Sequence, residues 1–393
     1  MRPSLLALAG GVGLAAALLA RRQAPKPLPA PPAAPTEITL VATGDIMMHA
    51  DVKQAAAQQG FDALWSELAP AWKAADLAFA NLETPVAPDT GRPGRPYQFN
   101  APAELPAALK AAGLQVLSTA NNHAFDQGPK GVVETLGHLR DAGLVPVGTG
   151  ATRAEAEQTV YLERKGLKVA VLAFSDIFNN DLDGKASRPW VRKLDLDAAC
   201  AAVAEARSKA DAVLVSIHWG IEDHHEPTPR QQEAAARLVA AGADLILGHH
   251  PHVLQPVAWV LAGGRMGLVA YSLGNFISNQ DRTYRASDPV ALGDERDGLL
   301  LKVVFRKGPQ GVEIASAEGE PLWCENNWRD RRGGRSIRTV PLDGALAAGP
   351  PSGLEALRAA RIREIVGPRV PAFSPARPPV AATGSPSGPA PAR

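Results

Sequence analysis

Short apolar and β-branched runs alternate with helical patterns along residues 39–247 of this chain. Alternation of this kind predicts βαβ units and a largely parallel core. The later runs Gly267–Ser272, Leu299–Arg306 and Val312–Glu318 have little helix between them, so we expect them to be antiparallel. A mixed two-sheet α/β sandwich fits this order better than one doubly wound sheet. The expected strands are Thr39–Thr43, Asp76–Ala80, Gln115–Thr119, Lys168–Phe174, Ala212–Ile217 and Asp244–Leu247, and the expected helices are Phe61–Ala75, Pro102–Ala112, Lys130–Ala142, Leu196–Lys209 and Pro229–Ala241.

The charge balance and the cysteine content exclude several classes of protein. Lys and Arg number 41 and Asp and Glu number 40, which gives a net charge of +1. This balance offers no basic footprint for nucleic acid, so we expect no nucleic-acid partner. The two cysteines, Cys200 and Cys324, exclude a disulfide scaffold and a cysteine-rich zinc module, but they leave a single disulfide open.

Both ends of the chain differ in composition from its middle. Residues 4–20 contain no charged side chain, and this run is just long enough to cross a bilayer. We therefore expect a signal or membrane anchor over residues 1–22, with an extracytoplasmic domain at the cell membrane. A retained anchor is preferred to a cleaved signal because a proline-rich linker follows it at residues 23–36. The proline-rich tail at residues 367–393 is expected to be disordered, which leaves a folded domain over residues 37–366.

Side chains of the kind that bind metals occur where the predicted strands end. Taken singly, each has an ordinary structural role such as a helix cap or a turn residue. Because the carboxyl ends of parallel strands meet at one edge of a sheet, we expect these side chains to converge. Nitrogen and oxygen ligands without thiolate, and too many for one tetrahedral zinc, suit two divalent ions such as Mn, Fe or Zn. The residues are Asp45, Glu83, Asn122, His123, His218, His250 and His252.

Five short motifs contain these residues, and a sixth follows them along the chain. They are GDIMM at 44–48, NLET at 81–84, NNHAFDQG at 121–128, HWGIE at 218–222, GHHPHV at 248–253 and YSLGNF at 271–276. Together and in this order they resemble the CapA/PgsA family of capsule and poly-γ-glutamate synthesis proteins. The resemblance spans about residues 37 to 306, which is most of the expected folded domain.

That family is similar to the calcineurin-like metallophosphoesterases, so the resemblance implies a four-layer α/β/β/α fold with a dinuclear metal centre. It implies that Asp45 and His252 bind the first metal and that Glu83 bridges the two metals. The second metal would be bound by Asn122, His218 and His250. His123 would be the general acid or the residue that polarises a phosphate.

Some positions differ from the phosphoesterase pattern. Met47 stands where that pattern has a histidine, and the nearest histidine is His49. Glu83 replaces the bridging aspartate, and Asn121 replaces a glycine. His249 is an alternative ligand to His250, although the His-Pro-His spacing favours His250.

Several neighbouring residues have weaker claims to a role. Asp126 is expected to orient the His123 loop, and Asn275 either shapes the site or simply forms a turn. Glu222, with His224 and His225, either reaches the substrate or belongs to a solvated loop. Arg92 and Arg95 lie in a Gly/Pro-rich loop, where they either bind an anionic substrate or are merely exposed.

Three hypotheses about function follow. The first is a membrane-tethered dinuclear metallohydrolase that acts on a phosphoester or a related anionic bond at the cell surface. The second is a non-catalytic component of a capsule synthesis or export complex, which binds an anionic polymer and contacts the other proteins of that complex. The third is a periplasmic binding protein without metal. The site residues are shared by the first two hypotheses.

Overall fold

The computed structural model describes residues 36–179, 191–309, 311–329, 335–343 and 353–367. Two β-sheets and a set of α-helices make up this part of the chain. The strands are β1 (Thr36–Ile46), β2 (Leu77–Leu82), β3 (Val116–Ser118), β4 (Val145–Val147), β5 (Val160–Arg164), β6 (Leu167–Ser175), β7 (Ala212–His218), β8 (Leu245–His249), β9 (Val257–Ala262), β10 (Arg265–Ala270), β11 (Asn275–Ile277), β12 (Asp297–Gly308), β13 (Gly311–Asn326) and β14 (Ile337–Pro341). The helices are α1 (Ala50–Gln59), α2 (Asp62–Trp65), α3 (Ala69–Ala74), α4 (Leu105–Ala112), α5 (Gly128–Asp141), α6 (Arg153–Ala156), α7 (Leu196–Lys209), α8 (Pro229–Ala241) and α9 (Gly353–Val366).

Each sheet combines a parallel centre with antiparallel strands. The first sheet has the order β14-β13-β12-β1-β2-β3-β4, and the short β11 pairs in parallel with the end of β1. In that sheet β1 to β4 run parallel, whereas β12 runs antiparallel to β1. The second sheet has the order β5-β6-β7-β8-β10-β9, with β6, β7, β8 and β10 parallel to one another.

The two sheets pack face to face, and helices cover their outer faces. Along β1, Leu40 packs between the sheets with Val171 of β6, whereas the next residue, Val41, packs on the outer face with Trp72 of α3. Along β6, Leu172 packs on the other outer face, in the same core as α7 and α8. This alternation follows from the two-residue period of a strand that is buried on both faces. The expected four-layer α/β/β/α sandwich is confirmed.

Two expectations about individual elements were wrong. The helix expected over Phe61–Ala75 is two helices, α2 and α3, with a turn between them. Pro70 lies in the first turn of α3, where a proline begins a helix but cannot continue one. The strand expected at Gly267–Ser272 is β10, which runs parallel to β8 and antiparallel only to β9. The β9–β10 hairpin returns the chain to the edge of β8 without a crossover helix.

The ends of the chain lie largely outside the described residues. This holds for the expected anchor, for the linker except Thr36 and for the tail except Gly367. Among the described residues, no helix has both the length and the apolarity needed to cross a membrane. Cys200 and Cys324 are free thiols, so the disulfide left open above does not form in this structure.

The last helix, α9, is attached to the sandwich through a buried arginine. Arg358 of α9 is fully buried. Its Nε donates to Asp297 Oδ1 at 2.9 Å, and its Nη2 donates to Asp294 Oδ1 at 2.8 Å. The other oxygen of Asp294 lies 2.9 Å from Nε2 of His225. Burial raises the pKa of Asp297 to about 7, and Arg358 works against that rise by favouring the ionised carboxylate.

We expect Arg358→Ala to lower the free energy of unfolding by about 3 to 5 kcal/mol, because it leaves the buried Asp297 without its cation and removes one of the partners of Asp294, which keeps Arg361. Urea unfolding of the purified protein measures this change. The matched control is Arg363→Ala on the same helix, since Arg363 is partly exposed and, among the described residues, forms an ion pair with Asp343 alone. A surface pair of that kind contributes about 1 kcal/mol or less. Equal losses in the two variants would contradict the anchoring role of Arg358.

Candidate metal centre

The predicted ligands come together where strands of both sheets end. Asp45 lies near the end of β1, and Glu83 follows β2 directly, with its N–H donating to the carbonyl of Ile46 at 3.0 Å. His218 is the last residue of β7, and the other ligands lie in the loops after β3 and β8. All seven predicted residues are buried. The parallel strands of the two sheets therefore point their carboxyl ends at one pocket, as expected for α/β sheets.

Asp45 is held by several donors at once. Its Oδ1 accepts from Nδ2 of Asn81 at 2.9 Å and lies 2.9 Å from Nδ1 of His249. Its Oδ2 accepts the backbone N–H of His250 at 3.2 Å and lies 3.6 Å from Nδ1 of His252. Burial raises the pKa of Asp45, but the hydrogen bonds from His249 and His252 outweigh burial and hold that pKa well below its usual range. Asp45 is therefore a fixed, ionised carboxylate.

Glu83 lies between two groups of ligand atoms. One group contains Glu83, His218 and His250, and the other contains Asp45, Glu83 and His252; within each group the ligand atoms lie within 4.8 Å of one another. The shared atom is Glu83 Oε1, which lies 3.6 Å from His218 Nε2 and 3.7 Å from His252 Nε2. One carboxylate oxygen thus faces both groups, which is the position of a bridging ligand.

The spacing of these atoms suits a bound cation. Two atoms that each lie about 2.1 Å from an ion are about 3.0 Å apart at a right angle and about 3.4 Å apart at the tetrahedral angle. His218 Nε2 lies 2.9 Å from Asn122 Oδ1, and the contacts to Glu83 and Asp45 are 3.6 to 3.7 Å. The 2.9 Å contact is already close to this spacing, and shortening the contacts of Glu83 Oε1 with His218 Nε2 and His252 Nε2 by a few tenths of an ångström would bring them to it as well.

Unsatisfied polar atoms in the pocket also point to a cation. In the described part of the chain, Glu83 Oε1 and Nδ1 of His250 are buried without a hydrogen-bond partner. The ion pairs that the described residues form with Asp45 and Glu83 all involve histidines, with no Lys or Arg among them. Buried carboxylates and unpaired ring nitrogens are costly unless a metal binds them. The residues present therefore fit divalent cations.

Burial also keeps the histidines ready to bind a metal. It lowers the pKa of His250 to about 3 and the pKa of His218 well below its usual value, and neighbouring histidine charges add to the effect. These rings are neutral near pH 7, which is the form that binds a metal. Burial and the charge of Asp45 raise the pKa of Glu83 well above its usual range, and a cation would reverse that shift.

Strained backbone presents the two histidines that follow β8. The φ angles are 98° at His250 and 57° at His252, in the left-handed region that favours glycine. Such a conformation costs about 1 to 3 kcal/mol and is typical of functional sites. The bond from the His250 N–H to Asp45 helps to hold this turn in place.

His123 lies beside the ligand groups and is oriented by Asp126. Nδ1 of His123 is 2.8 Å from Asp126 Oδ2, and both ring nitrogens lie within 3.5 Å of Asn179 Nδ2. The expected orienting role of Asp126 matches this contact. The charge of His123 contributes to the low pKa of His250, so the two rings are close neighbours.

Asn275 and Glu222 occupy different positions around His252. Asn275 is buried, and its Oδ1 lies 3.2 Å from Nδ1 of His252. This contact fixes the ring through Nδ1, while Nε2 faces Glu83. Its Nδ2 donates to the carbonyl of Glu295 at 2.7 Å, which fixes the amide in turn. Glu222 is exposed, yet its carboxylate joins His250 and His252 in a third group of ligand atoms. It lies at the solvent side of the pocket.

His224 and His225 point away from the ligand groups. His224 is exposed, and its Nδ1 contacts the carbonyl of Glu222. His225 bonds to the carbonyl of Leu254 at 2.7 Å and to Asp294 at 2.9 Å, and Asp294 in turn pairs with Arg358. His225 therefore links the loop after β8 to the anchor of α9.

Three residues near the pocket have roles that the sequence did not indicate. Asn81 donates to Asp45 and lies 3.5 Å from Glu83 Oε2, so it separates the two carboxylates. His249 belongs to neither group that contains Glu83, and it positions Asp45 instead. His49 accepts the Asn279 N–H at 3.2 Å, and burial lowers its pKa to about 4. Asn81 and His249 lie in the motifs NLET and GHHPHV, and this was the feature of the sequence that pointed to them.

Comparison with known proteins places these features in a family. The family described as bacterial capsule synthesis protein PGA_cap matches residues 39–280. The PGA biosynthesis protein CapA of Bacillus subtilis is 35% identical over 288 residues, covering 71% of this chain and 72% of that protein. The capsule biosynthesis protein CapA of Bacillus anthracis is 34% identical over 255 residues, covering 63% of this chain and 61% of that protein.

Two solved structures show a weaker likeness. A calcineurin-like phosphoesterase, YfkN of Bacillus subtilis, is 13% identical, with a TM-score of 0.42, and the match covers 84% of this chain and 98% of that one. A hypothetical protein of Thermus thermophilus is 16% identical, with a TM-score of 0.44, and the match covers 72% of this chain and 98% of that one. The resemblance drawn from the six motifs is confirmed by the sequence match over 39–280. This chain belongs to the bacterial capsule synthesis protein PGA_cap family.

Proposed function

We propose that this chain is a membrane-anchored, extracytoplasmic component of capsule or poly-γ-glutamate biosynthesis, with a divalent-metal site that hydrolyses a phosphoester-type bond. The observation that carries the metal site is the position of Glu83 Oε1 between His218 and His252. The names of the relatives support the biosynthetic process, and the apolar run at residues 4–20 supports the anchor. Proteins of capsule synthesis or export are the partners that this role implies.

The proposal assigns the ligands to two positions that share Glu83. Asp45 and His252 would hold one cation, and Asn122, His218 and His250 would hold the other. Mn, Fe and Zn all suit this set of nitrogen and oxygen donors. Bound divalent cations would supply positive charge that polarises a phosphoryl oxygen and lowers the pKa of a water molecule. Asn81 and His249 keep Asp45 in place, and Asn275 does the same for His252.

His123 is the proposed general acid. Its Nδ1 faces Asp126, so Nε2 is the ring atom that can hold a transferable proton. The carboxylate of Asp126 fixes the orientation of the ring, in the way that a carboxylate orients a catalytic histidine in other hydrolases. Nε2 would then donate its proton to the oxygen of the leaving group as the phosphoester bond breaks.

One observation favours a second function, in which the chain binds an anionic polymer without cleaving it. Met47 is buried and cannot replace the histidine of the phosphoesterase pattern. His49 does not replace it either, because among the described residues it lies in none of the groups of metal-ligand atoms, and its Nδ1 is engaged by Asn279. The first position then has only Asp45, Glu83 and His252, which suits binding more than turnover.

We expect Glu83→Gln to reduce the metal content of the purified protein from about two ions per chain to one or none, because the shared carboxylate is lost. Elemental analysis after reconstitution with Mn, Fe or Zn measures the content. The control is Asp244→Asn, a buried carboxylate that pairs with Arg207 before β8, at the opposite end of that strand from the pocket. Unchanged metal content in Glu83→Gln, or none in the wild type, would refute the shared site.

We expect His123→Ala to reduce kcat by about 10²- to 10⁴-fold on an alkyl phosphate ester, because the leaving group then departs without a proton. On a nitrophenyl ester, whose leaving group needs no proton, the loss should be much smaller. Metal content should stay at the wild-type level. The control is His138→Ala, which removes a histidine on α5 that pairs with Glu134. Equal losses on both esters would rule out a general acid.

Capsule formation in cells separates the two functions. A host that depends on this chain for its polymer should lose the capsule when the chain carries His123→Ala, if hydrolysis is required. Polymer yield and chain length measure the effect, with His138→Ala as the control. Full capsule with the His123→Ala protein would favour the binding function over hydrolysis.

A further inference from the structure

An ordered loop that the metal centre does not use projects beside His123. We call residues 91–98 (GRPGRPYQ) the basic loop. Its base is closed by Asn100, whose Oδ1 accepts the Ala87 N–H at 2.9 Å and whose Nδ2 donates to the carbonyls of Ala87 and Arg92 at 2.8 and 3.0 Å. A loop with an internal network of this kind has a fixed shape.

The basic loop is attached to the turn that carries His123. Oδ2 of Asp126 accepts the N–H of Phe99 at 2.5 Å and also contacts His123. Gln127 accepts the N–H of Arg92 at 2.7 Å and donates to the carbonyl of Phe99 at 2.7 Å. The Phe99 ring lies 4.4 Å from the His123 ring. The loop therefore lies on the His123 side of the pocket and is fixed relative to it.

Close packing around its glycines restricts the basic loop to few backbone conformations. A Cβ at Gly91 would lie 2.5 Å from the carbonyl oxygen of Ala87, and a Cβ at Gly94 would lie 3.0 Å from Nζ of Lys53. The first contact is impossible, so only glycine fits at residue 91 in this conformation. Lys53 Nζ also donates to the carbonyl of Asn100 at 2.9 Å and supports the loop from below.

The cationic side chains of the basic loop lack acidic partners. Arg92 and Arg95 are exposed, and no ion pair to either is found among the described residues. Two carboxylates that hold the segments around the loop have other partners: Asp126 binds Phe99 and His123, and Glu134 accepts the N–H groups of Asp89 and Thr90. Nε of Arg95 donates to Oε1 of Gln98 at 2.8 Å, so among the described residues the terminal amino groups of both guanidinium groups are left to bind an external anion.

Tyr97 at the tip of the loop is both exposed and strained. Arg95 and Gln98 exchange backbone hydrogen bonds of 2.8 and 2.9 Å, so Pro96 and Tyr97 are the central residues of a tight turn. Tyr97 has a φ of 62°, in a turn position that favours glycine, and its side chain is 87% exposed. A strained, solvent-exposed aromatic residue has no packing role here, and such outliers point to function.

We propose that the basic loop is a binding subsite for an extended polycarboxylate chain, such as a γ-linked glutamate polymer, next to the metal centre. Guanidinium groups bind carboxylates through paired hydrogen bonds, and Arg92 and Arg95 would bind two acidic groups of one chain. The ring of Tyr97 would cover the short apolar spacer between them. This inference rests on the proposed function, because the role in poly-γ-glutamate biosynthesis is what identifies the polymer as the ligand.

The test measures binding of a labelled hexa-γ-glutamate to the full chain by fluorescence anisotropy at low salt. We expect Arg92→Gln/Arg95→Gln to weaken binding about tenfold or more and to reduce its salt dependence, because two charge-assisted contacts are lost. The matched control is Lys302→Gln/Arg306→Gln on β12, which removes the same charge at a distance from the loop. Equal weakening in the control would show a net-charge effect and overturn the proposal.

Tyr97→Gly distinguishes a binding role from a structural one. Glycine suits the backbone at residue 97, so this variant should unfold at a higher urea concentration and yet bind the hexamer more weakly. Greater stability with unchanged affinity would overturn the proposed role of the loop. If Arg92→Gln/Arg95→Gln disturbs the pocket and loses metal, the affinity of Tyr97→Gly for the hexamer tests whether the basic loop binds the polymer.

Two further measurements separate this inference from the proposed function. Inorganic phosphate, titrated as a competitor, should displace the hexamer poorly if the polymer's carboxylates are what the loop binds; efficient displacement would point to a general anion site instead. Metal content is measured on every sample. Suppose that Arg92→Gln/Arg95→Gln keeps the wild-type metal content and binds the hexamer as tightly as the wild type. That result would refute the binding role of the basic loop and would leave the proposed metal centre untouched. Absence of metal from the wild type would refute the centre itself.

Discussion

Two buried carboxylates, Asp45 and Glu83, share one pocket. The surrounding residues compensate part of the cost of removing them from water. A desolvated charge costs several kcal/mol unless it is compensated. Asn81 and His249 donate to Asp45, but the described residues offer no partner to Glu83 Oε1. Burial and Asp45 raise the pKa of Glu83, so this side chain is compensated by a proton or, as proposed above, by a cation. This requirement explains why strands from both sheets end at the same place, since the histidines come from the second sheet and the carboxylates from the first.

The layers and the convergence of the site could be predicted from the sequence because both depend on local patterns. Strand-like runs alternate with helices, and polar residues follow the runs, so the edge where the ligands meet follows from topology. What could not be predicted depends on contacts between residues distant in the sequence. His249 was an alternative ligand until its contact with Asp45, 204 residues away, showed that it positions that carboxylate. The Arg358 anchor joins residues 61 to 64 positions apart, and the split of the helix at Pro70 depends on which turn the proline occupies.

Asp126 connects the two parts of the surface that the proposals concern. One of its oxygens contacts His123 and also accepts the backbone N–H of Phe99. The orientation of the proposed acid and the position of the basic loop therefore depend on the same carboxylate. A polymer chain bound along the loop would be guided towards the pocket without any movement of the loop. Hydrolysis and non-catalytic binding would use the same geometry, and they differ only in whether the bond at the metal centre is broken.

The pairing of β12 with β1 has a consequence for the length of a viable fragment. The family match ends at residue 280, whereas β12 begins at Asp297 and pairs with Thr36 to Ala42 on the free side of the strand that carries Asp45. A protein trimmed to the matched segment would turn β1 into an edge strand whose N–H and C=O groups face solvent, and such an edge recruits other chains. The antiparallel strands β12, β13 and β14 thus cover this side of β1. The segment that matches the family, residues 39–280, therefore lacks the strand that pairs with β1 on this side.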